Sequence, residues 1–113
     1  MLNFFAKPVP EIQPEAVKKA IDENQDFILL DVRTPEEFTR GKLPGSINLP
    51  VNDISEKIGS LVPDKSSFVY VYCLSGSRSV SAVNTMLKLG YSNVFDMSHG
   101  LLAWRIKGYP VNP

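Results

Sequence analysis

The sequence of 113 residues has little of the chemistry that most metal and disulfide proteins need. It contains a single cysteine, Cys73, and a single histidine, His99. One cysteine excludes a disulfide bond within the chain and a cysteine-ligated metal cluster. One histidine argues against a histidine-rich zinc site. A lone working thiol suits a reducing compartment, so we expect a cytoplasmic protein.

The sequence also lacks an excess of either charge and any long apolar run. Twelve basic residues balance 12 acidic ones, so nothing indicates nucleic acid or a membrane surface as a partner. No run reaches membrane-spanning length, and the first ten residues have neither the basic start nor the apolar length of a signal peptide. The length fits one domain over 1–113. We expect residues 1–10 to be a lead-in, or a short edge strand broken by Pro8 and Pro10, and residues 108–113 to be a tail.

Strand and helix patterns alternate along the chain. Apolar runs predict strands over 27–30, 47–49, 68–72 and 93–97. Helical spacing predicts helices from Pro14, over 35–40, after an N-cap at Asp53, over 79–89 with Gly90 as a left-handed cap, and over 101–107. The connections are too long for hairpins, so the predicted fold class is α/β, with a mostly parallel central sheet and helices on both faces.

The cysteine lies where the 68–72 run ends, before a short polar loop and a helix. This order places the sulfur of Cys73 over a helix N-terminus, where unpaired N–H groups and the positive end of the helix dipole favour an anion. Gly76 allows unusual backbone conformations, and Arg78 adds a positive charge. We therefore expect a thiolate or a persulfide to be stabilised at Cys73.

Other residues are expected to support this site. Ligands bind beyond the carboxyl ends of parallel strands, so Asp31, Cys73 and the 97–99 segment are expected at one edge of the sheet. The serines at 75, 77 and 79 are predicted to cap the helix, to donate to the sulfur, or both. Asp31 is expected to be a buried carboxylate that braces loop amides, and Arg33 to pair with Glu36 or Glu37.

Three blocks of the sequence resemble the rhodanese family of sulfurtransferases. Cys73, Gly76 and Arg78 match the family's Cys-x-x-Gly-x-Arg loop. The Asp-Val-Arg of 31–33, the Glu-Glu-Phe of 36–38 and the 41–48 segment resemble its upstream signature. The 90–104 segment, which ends at Trp104, resembles its C-terminal signature. The blocks come in the family's order and spacing, and together they imply a single rhodanese-like α/β domain.

The resemblance implies a reaction in two steps. Cys73 would take a sulfane sulfur from a small-molecule donor, thiosulfate or a persulfide, and the resulting persulfide would pass it to a thiol, cyanide or a protein cysteine. No metal or organic cofactor is needed. The residues expected to bind the substrate and the persulfide are those of the loop: Leu74, Ser75, Gly76, Ser77, Arg78 and Ser79.

Two alternatives remain open from the sequence. One is a sulfur-carrier or interaction module with a protein partner. The other is an oxyanion enzyme, a phosphatase or an arsenate reductase, because the same loop binds tetrahedral anions. Tyrosine phosphatases place five residues between their cysteine and arginine, whereas four separate Cys73 from Arg78 here, so the cradle is smaller.

Two positions depart from the family's pattern. The residue after the cysteine is often basic in members that accept thiosulfate, and here it is Leu74, which predicts weak use of that donor. His99 stands where the family often has glycine, and we expect it to be an exposed loop residue. Lys42 and the His99 segment are the other places where donor choice could be set. Trp104 is expected to lie in the hydrophobic core and to form part of the wall of the site.

Overall fold

Five strands form one parallel sheet at the centre of the molecule. A computed structural model describes residues 8–113, so the first seven residues of the predicted lead-in lie outside the described part. The strands are β1 (Glu11–Ile12), β2 (Ile28–Asp31), β3 (Ile47–Asn48), β4 (Phe68–Tyr72) and β5 (Asn93–Met97). Their order in the sheet is β1-β5-β4-β2-β3, and each neighbouring pair is parallel.

Helices occupy the connections between the strands, as the sequence pattern predicts. They are α1 (Pro14–Asp22), α2 (Pro35–Thr39), α3 (Ile54–Leu61), α4 (Ser77–Lys88) and α5 (Gly100–Ile106), with a 3-10 turn over Val51–Asp53. Pro14 is the first residue of its helix, as expected. Gly90 has a φ of +100°, and the N–H of Tyr91 donates to the carbonyl of Met86, which closes α4 with the predicted glycine cap.

The helices cover both faces of the sheet. Leu29 and Leu30 are neighbours in β2 but pack into different hydrophobic clusters, which explains why the strand is apolar on both faces before Asp31. One cluster joins the sheet to α3 and α4, and the other joins it to α1 and α5. Trp104 of α5 is fully buried in the second cluster, as predicted.

Local details correct several expectations. The helix predicted over 79–89 begins at Ser77, so Ser77 and Arg78 are helical. Asp53 occupies the N-cap of α3, but within residues 8–113 its side chain caps no amide, because its φ of −100° and ψ of −1° already continue the preceding turn. β1 follows Pro8 and Pro10 and is not broken by them. In the described part of the chain, none of the helices combines the length and the apolar character needed to cross a bilayer.

The 108–113 segment is tied back to the domain. Lys42 and Asn112 exchange two backbone hydrogen bonds, of 2.9 and 2.8 Å, in an isolated antiparallel bridge. The indole Nε1 of Trp104 donates to the carbonyl of Pro110 at 2.9 Å. The ammonium of Lys42 donates to the carbonyl of Pro113 at 2.7 Å, so this lysine is engaged by the C-terminal segment.

Candidate active site

The strand register brings the candidate residues to one edge of the sheet. Asp31 pairs with Tyr72, and Val71 pairs with Asp96, so β2, β4 and β5 end at the same level. The chain therefore leaves β4 at Cys73 beside the turn that follows β5. Asp31, Cys73 and the 97–99 segment share the carboxyl edge, as their place after three strands predicts.

The sulfur of Cys73 lies beneath the start of α4 and is fully buried. It accepts hydrogen bonds from the backbone N–H of Gly76 at 3.1 Å and of Ser79 at 3.3 Å, and it lies 3.4 Å from the hydroxyl oxygen of Ser79. Gly76 is the N-cap and has a φ of +124°, a conformation that residues with a side chain rarely adopt. This turn directs two amide dipoles at one atom, which is how a protein stabilises an anionic sulfur without a metal.

The first turn of α5 supports the loop from below. The N–H groups of Leu101 and Leu102 donate to the carbonyls of Cys73 and Leu74, at 2.9 and 3.0 Å. Gly100 has a φ of +56°, and a Cβ at this position would clash with the carbonyl oxygen of Cys73 and lie 2.7 Å from that of Leu74. Only glycine therefore allows α5 to approach so closely. These bonds hold the first two carbonyls of the loop on the α5 side.

Arg78 forms an ion pair with Glu37 of α2. Its guanidinium donates twice to the carboxylate, at 2.7 and 3.1 Å. These hydrogen bonds are the main reason why the pKa of Glu37 falls to about 2. Glu37 also forms a capping box with Thr34 at the start of α2. The prediction that Glu36 or Glu37 pairs with Arg33 is therefore wrong, because Arg78 takes the Glu37 carboxylate.

Arg33 pairs with Asp31 instead, and both side chains are buried. The guanidinium donates to the two carboxylate oxygens at 2.7 to 3.1 Å, and the backbone N–H of Arg33 adds a bond of 2.9 Å. Arg33 also donates to the carbonyl of Gly41 at 2.6 Å. Asp31 is thus a buried carboxylate that braces a loop amide, as predicted, but the amide belongs to Arg33 in the loop after β2. The two residues support the edge of the sheet without touching the sulfur.

The three serines of the loop have different positions. Ser75 and Ser77 are exposed, whereas Ser79 is fully buried. In the part of the chain that the structure describes, no side chain caps α4, so the predicted serine cap is wrong. The hydroxyl of Ser79 donates to the carbonyl of Gly76 at 3.1 Å and faces the sulfur. Of the two predicted serine roles, contact with the sulfur is the one that Ser79 has the geometry to perform.

Two clefts flank the loop. The larger, of about 550 Å³, is lined by Ser75, His99, Leu102, Ala103, Ile106 and Lys107. The smaller, of about 230 Å³, includes Glu11, Gly76, Asp96 and His99. His99 is exposed, as predicted, and has a left-handed φ of 60° at the N-cap of α5.

Sequence reasoning missed Asp96, a buried carboxyl beside the loop. It is 3% exposed and lies on the inward face of β5 together with Val94. The available signal was a charged residue at an inward position of an apolar strand, two residues after a core valine.

Similarity to known proteins agrees with this geometry. Residues 13–107 match the family described as rhodanese-like domain. A sulfurtransferase of Allochromatium vinosum is 32% identical over 103 residues, which cover 91% of this chain and 94% of that protein. The thiosulfate sulfurtransferase PspE of Escherichia coli is 38% identical over 65 residues, 58% of this chain and 62% of that protein. The crystal structure of a rhodanese-related protein from Thermoplasma volcanium superimposes with a TM-score of 0.80 at 32% identity, covering 91% of this chain and 97% of that one. The chain belongs to the family of rhodanese-like domains.

Proposed function

We propose that this protein is a sulfurtransferase that carries a sulfane sulfur as a persulfide on Cys73. The observation that carries the proposal is the pair of amide N–H groups, from Gly76 and Ser79, that converge on the sulfur atom at 3.1 and 3.3 Å. A buried sulfur held by two donors is suited to bear negative charge. The relatives named as sulfurtransferases support the same reaction class.

The first step loads the sulfur. The thiolate of Cys73 attacks the sulfane sulfur of the donor, a new S–S bond forms, and the bond between that sulfur and the rest of the donor breaks. The bonding electrons leave with the donor remainder, as sulfite from thiosulfate or as a thiolate from a persulfide. The loop from Leu74 to Ser79 surrounds the new terminal sulfur, and its amides stabilise the negative charge.

The second step unloads the sulfur. An acceptor thiolate, or cyanide, attacks the terminal sulfur, and Cys73 departs as a thiolate, which restores the starting state. Since the sequence holds one cysteine, no second thiol of the same chain can take the sulfur. The acceptor therefore comes from outside the chain, either as a small molecule or as a protein cysteine.

The surroundings of the loop favour a persulfide donor over thiosulfate. Thiosulfate carries two negative charges, but the guanidinium of Arg78 is paired with the Glu37 carboxylate at 2.7 Å. Leu74, the residue after the cysteine, is 37% exposed and presents an apolar side chain to solvent. An organic or protein-borne persulfide matches this surface better than a dianion.

Mass spectrometry of the intact protein tests the proposal. After incubation with a persulfide donor, the wild type should gain the mass of one sulfur at Cys73 and lose it on addition of cyanide or a thiol. The control is protein whose Cys73 was first alkylated with iodoacetamide, which should gain nothing. Cys73→Ser should keep its fold by near-ultraviolet circular dichroism and lose all transfer. A mutant that still transfers sulfur would place the reaction elsewhere.

A second candidate is a carrier module that loads sulfur and delivers it to a docked protein. The supporting observation is the apolar surface around the larger cleft, where Leu102 is 47% and Ile106 86% exposed. Slow turnover with every small acceptor, together with stoichiometric loading of Cys73, would favour the carrier. An oxyanion enzyme is less favoured, because the Arg78 guanidinium that would hold a phosphate is bound to Glu37.

A further inference from the structure

Asp96 is a buried carboxyl that neither the fold nor the sulfur chemistry described above explains. It lies in β5 between Glu11 of β1 and Val71 of β4, and register partners in a parallel sheet point to the same face. Cys73 follows Val71 by two residues, so Asp96 faces the side of the sheet on which α4 and the sulfur lie. Asp96 is 3% exposed, and within residues 8–113 its Oδ1 atom has no hydrogen-bond partner.

The hydroxyl of Ser79 lies close to the sulfur and influences this carboxyl. It is 3.4 Å from Sγ of Cys73 and 3.1 Å from the carbonyl oxygen of Gly76, and its proximity lowers the pKa of the Asp96 carboxyl. A serine hydroxyl has one hydrogen to donate. A carbonyl, a sulfur and a carboxylate therefore compete for a single donor.

We propose that Asp96 is a positioning residue of the sulfur site, and that its protonation state decides where the Ser79 hydroxyl points. This proposal rests on the function proposed above. A protonated Asp96 donates its own hydrogen to the Ser79 oxygen and leaves the hydroxyl hydrogen available to the sulfur. An ionised Asp96 accepts that hydrogen and places a second negative charge near the thiolate or persulfide. The neutral carboxyl therefore favours the anionic sulfur, and the carboxylate disfavours it.

The surroundings of Asp96 determine the pH at which its carboxyl changes protonation state. Burial is the main cause that raises the pKa of Asp96 to about 6; the Ser79 hydroxyl lowers it, the Glu11 carboxylate raises it and His99 lowers it. Glu11 faces Asp96 from β1, Cys73 from the end of β4, and His99 from the turn before α5. The nearest charged side chain of α4, Arg78, is bonded to Glu37. The change of state is thus expected close to neutral pH.

The test is the pH at which alkylation of Cys73 by iodoacetamide reaches half its maximal rate. Asp96→Asn keeps the size of the side chain and removes its charge. The half-maximal pH for alkylation of Cys73 should therefore fall by about 0.7 unit, about a fivefold change that corresponds to one ordinary hydrogen bond. In the Ser79→Ala background the same change should alter it by less than about twofold. The control is Asp26→Asn, which removes an exposed carboxylate at the opposite edge of the sheet, before β2, and should keep the wild-type value within about twofold.

Two results would overturn the proposal. Identical half-maximal pH in wild type and Asp96→Asn would show that the carboxyl does not influence the sulfur. An equal shift with and without the Ser79 hydroxyl would show that charge acts directly through space. Alkylation needs no sulfur donor, so a protein that shows this coupling but never gains sulfur would refute the proposed function and leave the role of Asp96 supported.

A measurement on unmutated protein guards against a variant that fails to fold. The titration of the Asp96 carboxyl is followed by carbon NMR before and after Cys73 is converted to an uncharged thioether with iodoacetamide. Coupling between two sites is reciprocal. Loss of the anionic sulfur should therefore lower the midpoint of the Asp96 titration by about 0.7 pH unit, about a fivefold change. An unchanged midpoint would contradict the proposal.

Discussion

The ion pair between Glu37 and Arg78 should contribute stability that disappears in acid. Its folded-state pKa of about 2 lies below the ordinary 4.5, so the carboxylate is more stable in the folded protein than in the unfolded chain. This contribution is complete above about pH 4.5 and is lost as pH falls towards 2. Glu37→Gln should therefore lower the free energy of unfolding at pH 7 and have almost no effect near pH 2.

The size of the effect follows from exposure. The full pKa difference corresponds to about 3 kcal/mol at 1.36 kcal/mol per pKa unit. However, the two side chains are 28% and 33% exposed, and water screens such pairs, so we expect a loss of about 1 kcal/mol. The glutamine side chain keeps an oxygen that can accept from Thr34, so the capping box remains and the substitution tests the charge alone.

Urea denaturation at neutral and acidic pH measures this loss. The matched control is Glu36→Gln, which removes a neighbouring exposed carboxylate from the same helix and should change stability by less than about 0.5 kcal/mol at either pH. A loss for Glu37→Gln that is equal at both pH values would mean that packing, not charge, links α2 to α4. No loss at neutral pH would mean that water screens the pair completely.

The same substitution should change substrate use, because it frees the guanidinium of Arg78 next to the sulfur site. We expect the thiosulfate KM to fall about fivefold at low salt, the effect of one partly screened charge contact. The KM for an uncharged persulfide donor should stay constant, and added salt should erode the gain. An unchanged thiosulfate KM would show that the freed arginine does not reach the donor.

Three further changes probe the rest of the site. Leu74→Arg should lower the thiosulfate KM several-fold without lowering the KM for a neutral donor. Steady-state kinetics at two salt concentrations measure this change, and an unchanged KM would mean that another part of the site determines donor choice. Gly100→Ala should destabilise the fold by more than about 2 kcal/mol, because its Cβ would lie 2.7 Å from the Leu74 carbonyl oxygen; a thermal melt like that of wild type would contradict this. Asp96→Asn should raise the free energy of unfolding by up to about 3 kcal/mol above pH 6 and by little below pH 4, because the raised pKa of Asp96 in the folded protein makes its ionisation destabilising as pH increases. The same stability difference between variant and wild type at both pH values would refute this.

The sequence predicted the sheet and the position of the thiol because both depend on local signals. Apolar runs mark β2, β4 and β5, and Pro14 and Gly90 mark helix ends. The register of parallel strands then places Cys73 at the carboxyl edge. Helix starts were less predictable: the first turn of α4 is set by Gly76 and by bonds to the sulfur, which no periodic pattern reveals.

The ion pairs could not be assigned because they depend on distances across the fold. The sequence favoured the nearby acids of α2 for Arg33 and indicated no acidic partner for Arg78. In the structure Arg33 turns back to Asp31, two residues earlier, while Glu37 pairs with an arginine 41 positions later. The Thr-Pro-Glu-Glu of 34–37 did contain a capping-box signal, and this box fixes the carboxylate that Arg78 reaches. The ion pair between Glu37 and Arg78 forms because the fold brings α2 beside the start of α4.

Under the proposed function, neutral dipoles rather than a cation stabilise the negative sulfur. The cation that follows the cysteine loop, Arg78, is bonded to Glu37, so the pair carries no net charge, whereas the amides of Gly76 and Ser79 point at the sulfur. A free cation would attract every anion nearby, including phosphate and thiosulfate, over a distance set by ionic strength. Two amide dipoles act on one atom at about 3 Å and discriminate by position. We therefore propose that the site is selective for a single terminal sulfur on Cys73 and that the apolar side chains around the loop recognise the rest of the donor.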